Sequence, residues 1–267
     1  MIKTVVTGAA GRMGSRIINI LSATDGFGLG GALEKKGHAM VGQDAGGPAG
    51  IPATGVRITD DLNAAVKAGD VLIDFTFPEI SLAHLKACAD QGKAAVIGST
   101  GFTKEQLAEA GTYVQKIPCV LSPNMSVGVN VCFKVLADLA KILGPEFDAE
   151  IVEWHHRLKK DAPSGTAVRM GEVVAKALGR DYHKVANFHR EGITGVRTND
   201  EIGMQTVRGG DIVGEHTVFF IGMGERIELT HRAHTRDMFA RGAIRAAKWV
   251  VGKKPGLYDM QDVLGLK

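Results

Sequence analysis

Ile2-Lys3-Thr4-Val5-Val6-Thr7-Gly8-Ala9-Ala10-Gly11-Arg12-Met13-Gly14 opens the chain with a short β-branched run and a glycine-rich turn. A helical pattern follows, with Met13, Ile17, Ile18 and Leu21 on one face. Strand, glycine turn and helix in that order form the unit that holds a pyrophosphate. Glycines permit the tight turn and a close backbone approach, and the helix N-terminus offers its free N–H groups to the phosphates. The spacing is G-x-x-G-x-x-G, a variant of the more common G-x-G-x-x-G, and a purely structural turn can share it. The context favours a ligand. A second strand pattern runs from Phe27 to Glu34, and Glu34 at its end stands where a carboxylate accepts from adenosine ribose hydroxyls. Lys35 and Lys36 follow at once. An acid favours the dinucleotide without a 2′-phosphate and cations favour the one with it, so the combination reads as relaxed use of NADH and NADPH. The alternative for the two lysines is a solvated charge cluster.

Working outward, strand and helix patterns alternate through residue 126. Val71 to Phe75, Ala94 to Gly98 and Cys119 to Leu121 are apolar strand patterns. Helices are expected around Leu82, Leu85 and Cys88 and over Lys104 to Val114. Short apolar strands separated by amphipathic helices predict an α/β fold with a Rossmann-like, doubly wound parallel sheet. Ligands of such sheets lie beyond the C-terminal strand ends. Phe75-Thr76, Gly98-Ser99-Thr100-Gly101 and Ser122-Pro123-Asn124-Met125 are therefore expected as walls of the nicotinamide half of the site. The glycine-rich stretch from Gly37 to Gly55 reads as a surface excursion.

The pattern changes after Pro123. A long helix is expected from Ser126 to Gly144, with Val127, Val131, Val135, Leu139 and Ile142 on one apolar stripe. A strand over Glu150 to Trp154, a helix over Thr166 to Leu178 and short strands at Thr206-Val207, Ile212-Val213, His216 to Ile221 and Arg226 to Thr230 make the middle an α+β unit with a mixed sheet. A last helix, Arg236 to Val251, has α/β character and can return to the first unit. The expected division is 1–126 joined by 236–267, and 127–235.

Whole-chain properties bound the function. The 267 residues are 45% hydrophobic and 23% charged with a net charge of +3, an ordinary composition that leans only slightly toward acidic small molecules. No long basic block argues for nucleic acid. Cys88, Cys119 and Cys132 are an odd set without close pairing and read as reduced thiols. No leader-length apolar core follows Met1 and no stretch approaches a membrane span, so a cytoplasmic protein is expected.

The chemistry concentrates in Glu153-Trp154-His155-His156-Arg157-Leu158-Lys159-Lys160-Asp161-Ala162-Pro163-Ser164-Gly165-Thr166. Pro163 and Gly165 break what precedes them, and Ser164 or Thr166 can cap the helix that follows. A helix N-terminus binds anions. Lys159 and the histidines are near enough in sequence to face the same anion, and His155 is placed to give up a proton. The bland reading is a solvated strand edge, since adjacent strand residues point to opposite faces and only one histidine can face a given ligand directly. A metal is not expected, because His-His lacks the helical i, i+4 spacing or cysteine company of a zinc site.

Taken together, Gly8 to Gly14, Gly98-Ser99-Thr100-Gly101-Phe102, Asn124-Met125-Ser126-Val127-Gly128-Val129-Asn130, the segment His155 to Thr166 and Gly210-Asp211-Ile212-Val213-Gly214-Glu215-His216 resemble the 4-hydroxy-tetrahydrodipicolinate (dihydrodipicolinate) reductase family over essentially the whole chain. The resemblance implies NAD(P)H-dependent reduction of a cyclic imine dicarboxylate in diaminopimelate and lysine synthesis. It implies that His155 donates or accepts the proton, with Lys159 as second acid or cation. His156, Gly165 and Thr166 would hold a substrate carboxylate. The dinucleotide would lie on Gly8, Ala9, Ala10, Gly11, Arg12, Met13, Glu34, Lys35, Gly98, Ser99, Thr100, Ser122, Pro123, Asn124 and Met125. A homotetramer assembled through the second sheet, near residues 201–232, is also implied. Two positions depart from relatives: Lys35 and Phe77 each stand where arginine can occur, and lysine lacks the planar fork of arginine. The competing readings are another Rossmann dehydrogenase acting on a small amino or keto acid, such as an aspartate dehydrogenase, and a dinucleotide-binding sensor. The first has no reason to carry the histidine–lysine–Ser-Gly-Thr block, and the second needs no proton donor.

Overall fold

In the computed structural model, which describes all 267 residues, the chain runs β1 (Ile2–Thr7), α1 (Arg12–Ser22), β2 (Phe27–Leu33), α2 (Gly46–Ala49), β3 (Ile58–Thr59), α3 (Leu62–Lys67), β4 (Val71–Asp74), α4 (Pro78–Gln91), β5 (Ala94–Ile97), α5 (Lys104–Tyr113) and β6 (Pro118–Leu121). It continues through α6 (Val127–Leu143), β7 (Asp148–His155), α7 (Gly165–Ala177), α8 (Tyr182–Val185), β8 (Ala186–Asn187), β9 (Ile202–Arg208), β10 (Gly214–Ile221) and β11 (Arg226–Ala233). It ends with α9 (Asp237–Val250), β12 (Gly256–Tyr258) and α10 (Met260–Leu264). Two compact units result, Met1–Val127 with Asp237–Lys267, and Gly128–Arg236.

The first unit is a seven-stranded sheet in the order β12-β6-β5-β4-β1-β2-β3. All its pairs are parallel. Every residue of β4 and β5 is buried, as a parallel sheet covered on both faces requires. Strand order reverses between β1 and β4, the switch point where open sheets of this kind bind ligands. The helices start and stop for identifiable reasons. Thr103 and Gln106 close a capping box on α5. Pro78 begins α4, and Gly92 in the left-handed conformation ends it. In α9 the small residues Ala240, Ala243 and Ala247 recur at i, i+3 and i+7 and are fully buried.

The stretch from Gly37 to Gly55 is more than a surface excursion. Ala45 and Ala49 lie in the core beside α1, and Asn19 Nδ2 donates to the Ala49 carbonyl at 3.0 Å. Asp44 holds the loop, accepting from the amides of Gly46 at 2.8 Å, Thr54 at 2.9 Å and Gly55 at 2.8 Å. The chain then adds β3 to the sheet edge, a strand too short for periodicity to reveal.

The second unit is a five-stranded mixed sheet, β11-β10-β7-β9-β8. β10 is antiparallel to β7 and β11, and β9 is parallel to β7 and β8. Its core joins α6 and α7 to one sheet face. α6 buries Val129, Cys132, Leu136 and Ala140, whereas Val131, Val135 and Ile142 of the expected stripe are exposed. The helix is apolar nearly all round, so its pattern alone selects no face. Ile212-Val213 lies outside the strands, after a turn at Gly210-Asp211, and the Ile212 carbonyl accepts from the His156 amide at 2.8 Å. No helix is long and apolar enough to cross a membrane.

Two glycines in helices of the first unit make opposite predictions. A Cβ at Gly242 would lie 1.8 Å from the Met125 carbonyl oxygen, while one at Gly111 would meet nothing within 4 Å. Gly242→Ala should therefore lower the unfolding free energy by about 3 kcal/mol. Gly111→Ala should raise it by about 0.5–1 kcal/mol. Urea denaturation of both variants checks the pair.

Candidate active site

The register of the second sheet assembles a polar cluster. Successive strand residues point to opposite faces, and β7 buries Ala149, Ile151, Glu153 and His155 in turn. The first two are apolar and the last two ionisable. Its neighbours repeat the division. β9 follows Ile202 and Met204 with Thr206 beside Glu153 and Arg208 beside His155. β10 sets His216 opposite Glu153. One face thus changes along its length from apolar core to a site.

Glu153 lies at the centre, fully buried. Its Oε2 accepts from His155 Nδ1 at 2.5 Å and Arg208 Nη1 at 2.8 Å. Its Oε1 accepts from Arg208 Nη2 at 2.9 Å, the Ser164 amide at 3.0 Å and the Thr206 hydroxyl at 3.3 Å. Burial favours the neutral acid, but the hydrogen bonds from His155, Arg208 and the Ser164 amide outweigh it and hold the carboxyl down at about 2. With Nδ1 engaged, His155 Nε2 has no hydrogen-bond partner in the chain. It faces the backbone of Gly214, where a Cβ would come within 2.9 Å of it. The His216 ring packs edge-on at 5.2 Å from His155. Burial first, then the charge of His155, push His216 down to about 3, so it is neutral.

The same cluster grips the Pro-Ser-Gly-Thr turn. Ser164 caps α7, its Oγ accepting from the Ala167 amide at 3.2 Å and lying 2.8 Å from His216 Nε2. Gly165 and Thr166 then begin the helix, and a Cβ at Gly165 would meet nothing within 4 Å, so the space over the helix start is open. Lys159 Nζ donates to both oxygens of Asp161 at 2.9 and 2.8 Å. The Asp161 carbonyl in turn accepts from Arg208 Nη2 at 2.8 Å. His156 lies just past the end of β7 with a buried Nδ1 that has no partner. Of the expected residues, His155 and the helix start at Gly165 are brought together through Glu153. Thr206, Arg208 and His216 were missed. A carboxylate two residues before His155 is legible as a same-face neighbour; the other three depend on strand pairing.

In the first unit a cavity of about 700 Å³ opens at the switch point, bordered by Gly8, Gly11 to Gly14, Glu34 to Lys36 and Phe75 to Phe77, with Ala9 and Ala10 outside its lining. Its residues fit a dinucleotide. Gly8 has φ +59°, and a Cβ on Gly14 would lie 2.1 Å from the Gly8 carbonyl oxygen, so the turn closes only without side chains. Gly11 caps α1 and supplies no side chain to its first amides, which leaves them to an anion. Glu34 is anchored by the Ala10 amide at 3.0 Å and the Lys35 amide at 3.1 Å. Ala9 is buried beneath the turn. Gly98 to Thr100 and Ser122 to Met125 end β5 and β6 and do not border this cavity. Gly98 packs on the Phe75 ring, Ser99 Oγ accepts from Ser81 Oγ at 2.7 Å, Ser122 Oγ donates to the Asn124 carbonyl at 3.0 Å, and the Met125 side chain is in the core. Any contact from Met125 is therefore through its backbone. Sequence reasoning also missed His84, which borders the cavity and has its Nδ1 2.9 Å from the buried Asp74.

Both units match known proteins. The family model for dihydrodipicolinate reductase, N-terminus, matches residues 2–125, and that for dihydrodipicolinate reductase, C-terminus, matches residues 128–264. The chain is 72% identical to the 4-hydroxy-tetrahydrodipicolinate reductases of Citrifermentans bemidjiense and Geotalea uraniireducens, in each case over 100% of both chains. Among solved structures it is similar to a dipicolinate-bound dihydrodipicolinate reductase from Paenisporosarcina sp. TG-14, with a TM-score of 0.77, 26% identity and 98% of each chain covered. With both units matched in order and the relatives aligned end to end, the chain belongs to the dihydrodipicolinate reductase family.

Proposed function

We propose that the chain catalyses the NAD(P)H-dependent reduction of 4-hydroxy-tetrahydrodipicolinate to tetrahydrodipicolinate with loss of water, a step of diaminopimelate and lysine synthesis. The observation that carries this reading is one buried carboxylate, Glu153, bonded both to His155 Nδ1 and to the Ser164 amide at the start of α7. A proton donor and an anion-binding helix start are thereby held together, as a dicarboxylate that must be protonated requires.

When bound, the reduced dinucleotide supplies the hydride. The chain's own residues handle anions and the proton. Gly8 to Met13 and Glu34 hold the pyrophosphate and ribose, with Lys35 toward a 2′-phosphate. Gly98 to Thr100 and Ser122 to Met125 serve the nicotinamide half from neighbouring strand ends. Gly165, Thr166 and His156 take a substrate carboxylate. His155 Nε2 delivers the proton, and Lys159, held by Asp161, stabilises charge that develops on the ring. Overall one hydride and one proton enter the substrate and one water leaves. Assembly as a homotetramer in the cytoplasm fits the same reading. Val207, Ile221 and Ile227 of the second sheet are each more than a third exposed in the single chain, and β11 is an unpaired edge.

The decisive experiment supplies the substrate in situ from aspartate semialdehyde, pyruvate and the preceding synthase, and follows the nicotinamide absorbance. Oxidation that depends on the synthase is expected; dinucleotide binding without consumption would return the chain to the sensor or other-dehydrogenase readings. His155→Ala should fold and bind dinucleotide normally while kcat falls by about 10²–10⁴, measured in the same assay. Lys35→Glu and Lys36→Glu should weaken NADPH roughly tenfold more than NADH, read from the two Kd values. Sedimentation equilibrium should give the mass of four chains.

A further inference from the structure

We propose that Glu153, bridged to Arg208, is a positioning residue that selects Nε2 as the working nitrogen of His155 and sets it in register with the anion-binding start of α7. The inference rests on the function proposed above and goes beyond it, since it assigns the pair that makes the histidine competent.

The argument is one of valence. An ionised carboxylate only accepts. Oε2 stands 2.5 Å from His155 Nδ1, so Nδ1 carries a proton whether the ring is charged or neutral. Proton exchange with a ligand is left to Nε2, which faces the Gly214 backbone and has no partner in the chain. The Arg208 fork spans both Glu153 oxygens and keeps the carboxylate from turning, a role for which a planar guanidinium is suited and an ammonium is not. The remaining donors extend the device. The Ser164 amide bonds Oε1 at 3.0 Å, and Arg208 Nη2 also bonds the Asp161 carbonyl at 2.8 Å. The ring and the segment from Asp161 to Ser164 therefore share one carboxylate–guanidinium pair, and a shift of either moves proton donor and anion site together.

Charged and titratable groups come from every element around the ring. They are Glu153 on β7, Arg208 beside it on β9, His216 on β10 with His231 opposite it on β11, and Lys159 with Asp161 in the loop. Of these, Glu153 alone is an anion in hydrogen-bond contact with the ring.

Two measurements test this. In protein labelled with ¹⁵N-histidine, with the His155 signals assigned by comparison with His155→Gln, the neutral ring at alkaline pH should be the Nδ1–H tautomer. A neutral Nε2–H tautomer would overturn the proposal, and this readout needs no Glu153 variant to fold and no turnover. In the second, Glu153→Gln should lower kcat by about 10²-fold and move the ionisation seen in kcat/KM down by about one pH unit, with the Kd for NADH unchanged. Glu153→Asp, which keeps the charge, should retain that ionisation nearer its original pH. Wild-type kcat and an unmoved pH profile in a folded Glu153→Gln protein would reduce Glu153 to a structural ion. Failure of the wild-type protein to turn over the cyclic imine would instead count against the function and leave the tautomer result standing.

Discussion

A carboxylate with no exposure to solvent has to be compensated by donors, and at Glu153 that requirement ties four parts of the second unit to one point. β7 contributes His155, β9 contributes Thr206 and Arg208, the cap of α7 contributes the Ser164 amide, and Arg208 reaches on to the Asp161 carbonyl. Removing one partner of a buried ion pair costs about 3–5 kcal/mol because the other charge is stranded. An exposed pair such as Lys86–Asp90 is screened by solvent and contributes little. The loop from Lys159 to Ser164 is therefore shaped mainly by the buried charge, and its exposed ion pair with Lys159 is an adjustment.

The first unit meets a related demand with backbone and with a second buried acid. Asp74 ends β4 with no exposure. Its Oδ1 accepts from the Thr7 hydroxyl at 2.9 Å and the Thr76 amide at 2.7 Å, while Oδ2 meets His84 Nδ1. Burial opposes its charge, yet the His84 hydrogen bond and the other donors hold it below the usual carboxylate range. Thr7 ends β1 and Thr76 follows β4, so Asp74 fastens together the two strands between which the sheet order reverses. The Asp74 network thus lies beside the glycine turn that borders the cavity at that switch point. In both units an acid at a strand end holds a histidine by Nδ1.

Much of this was legible because it is local. The strand–turn–helix unit, the four apolar strand patterns of the sheet core and the Ser164 cap each depend on residues within a few positions, and they lie where the patterns place them. Glu34 is local in the same sense, since the end of β2 carries it to the turn. The misreadings arose where local pattern is mute. α6 is apolar on most sides, so only packing against Ala149 and Ile151 selects its buried face. The Gly37 to Gly55 stretch is organised by the carboxylate of Asp44 rather than by periodicity. Ile212-Val213 is β-branched yet lies outside the strands, where the Ile212 carbonyl meets the His156 amide beyond the end of β7.

The alternation of the first unit, the phosphate-binding turn, and the placing of His155 and the α7 cap within one short segment follow from local residues, since periodicity, glycine geometry and capping act over a few positions. Tertiary structure alone decided which partners reach that segment. Arg208 and His216 lie 53 and 61 positions beyond His155, and only the register of β9 and β10 against β7 sets them on its face. Strand pairing is a long-range choice made by the burial of Ala149, Ile151, Met204 and Val218 in a common core. The polar ends of those strands are carried into the site by the apolar halves that pack.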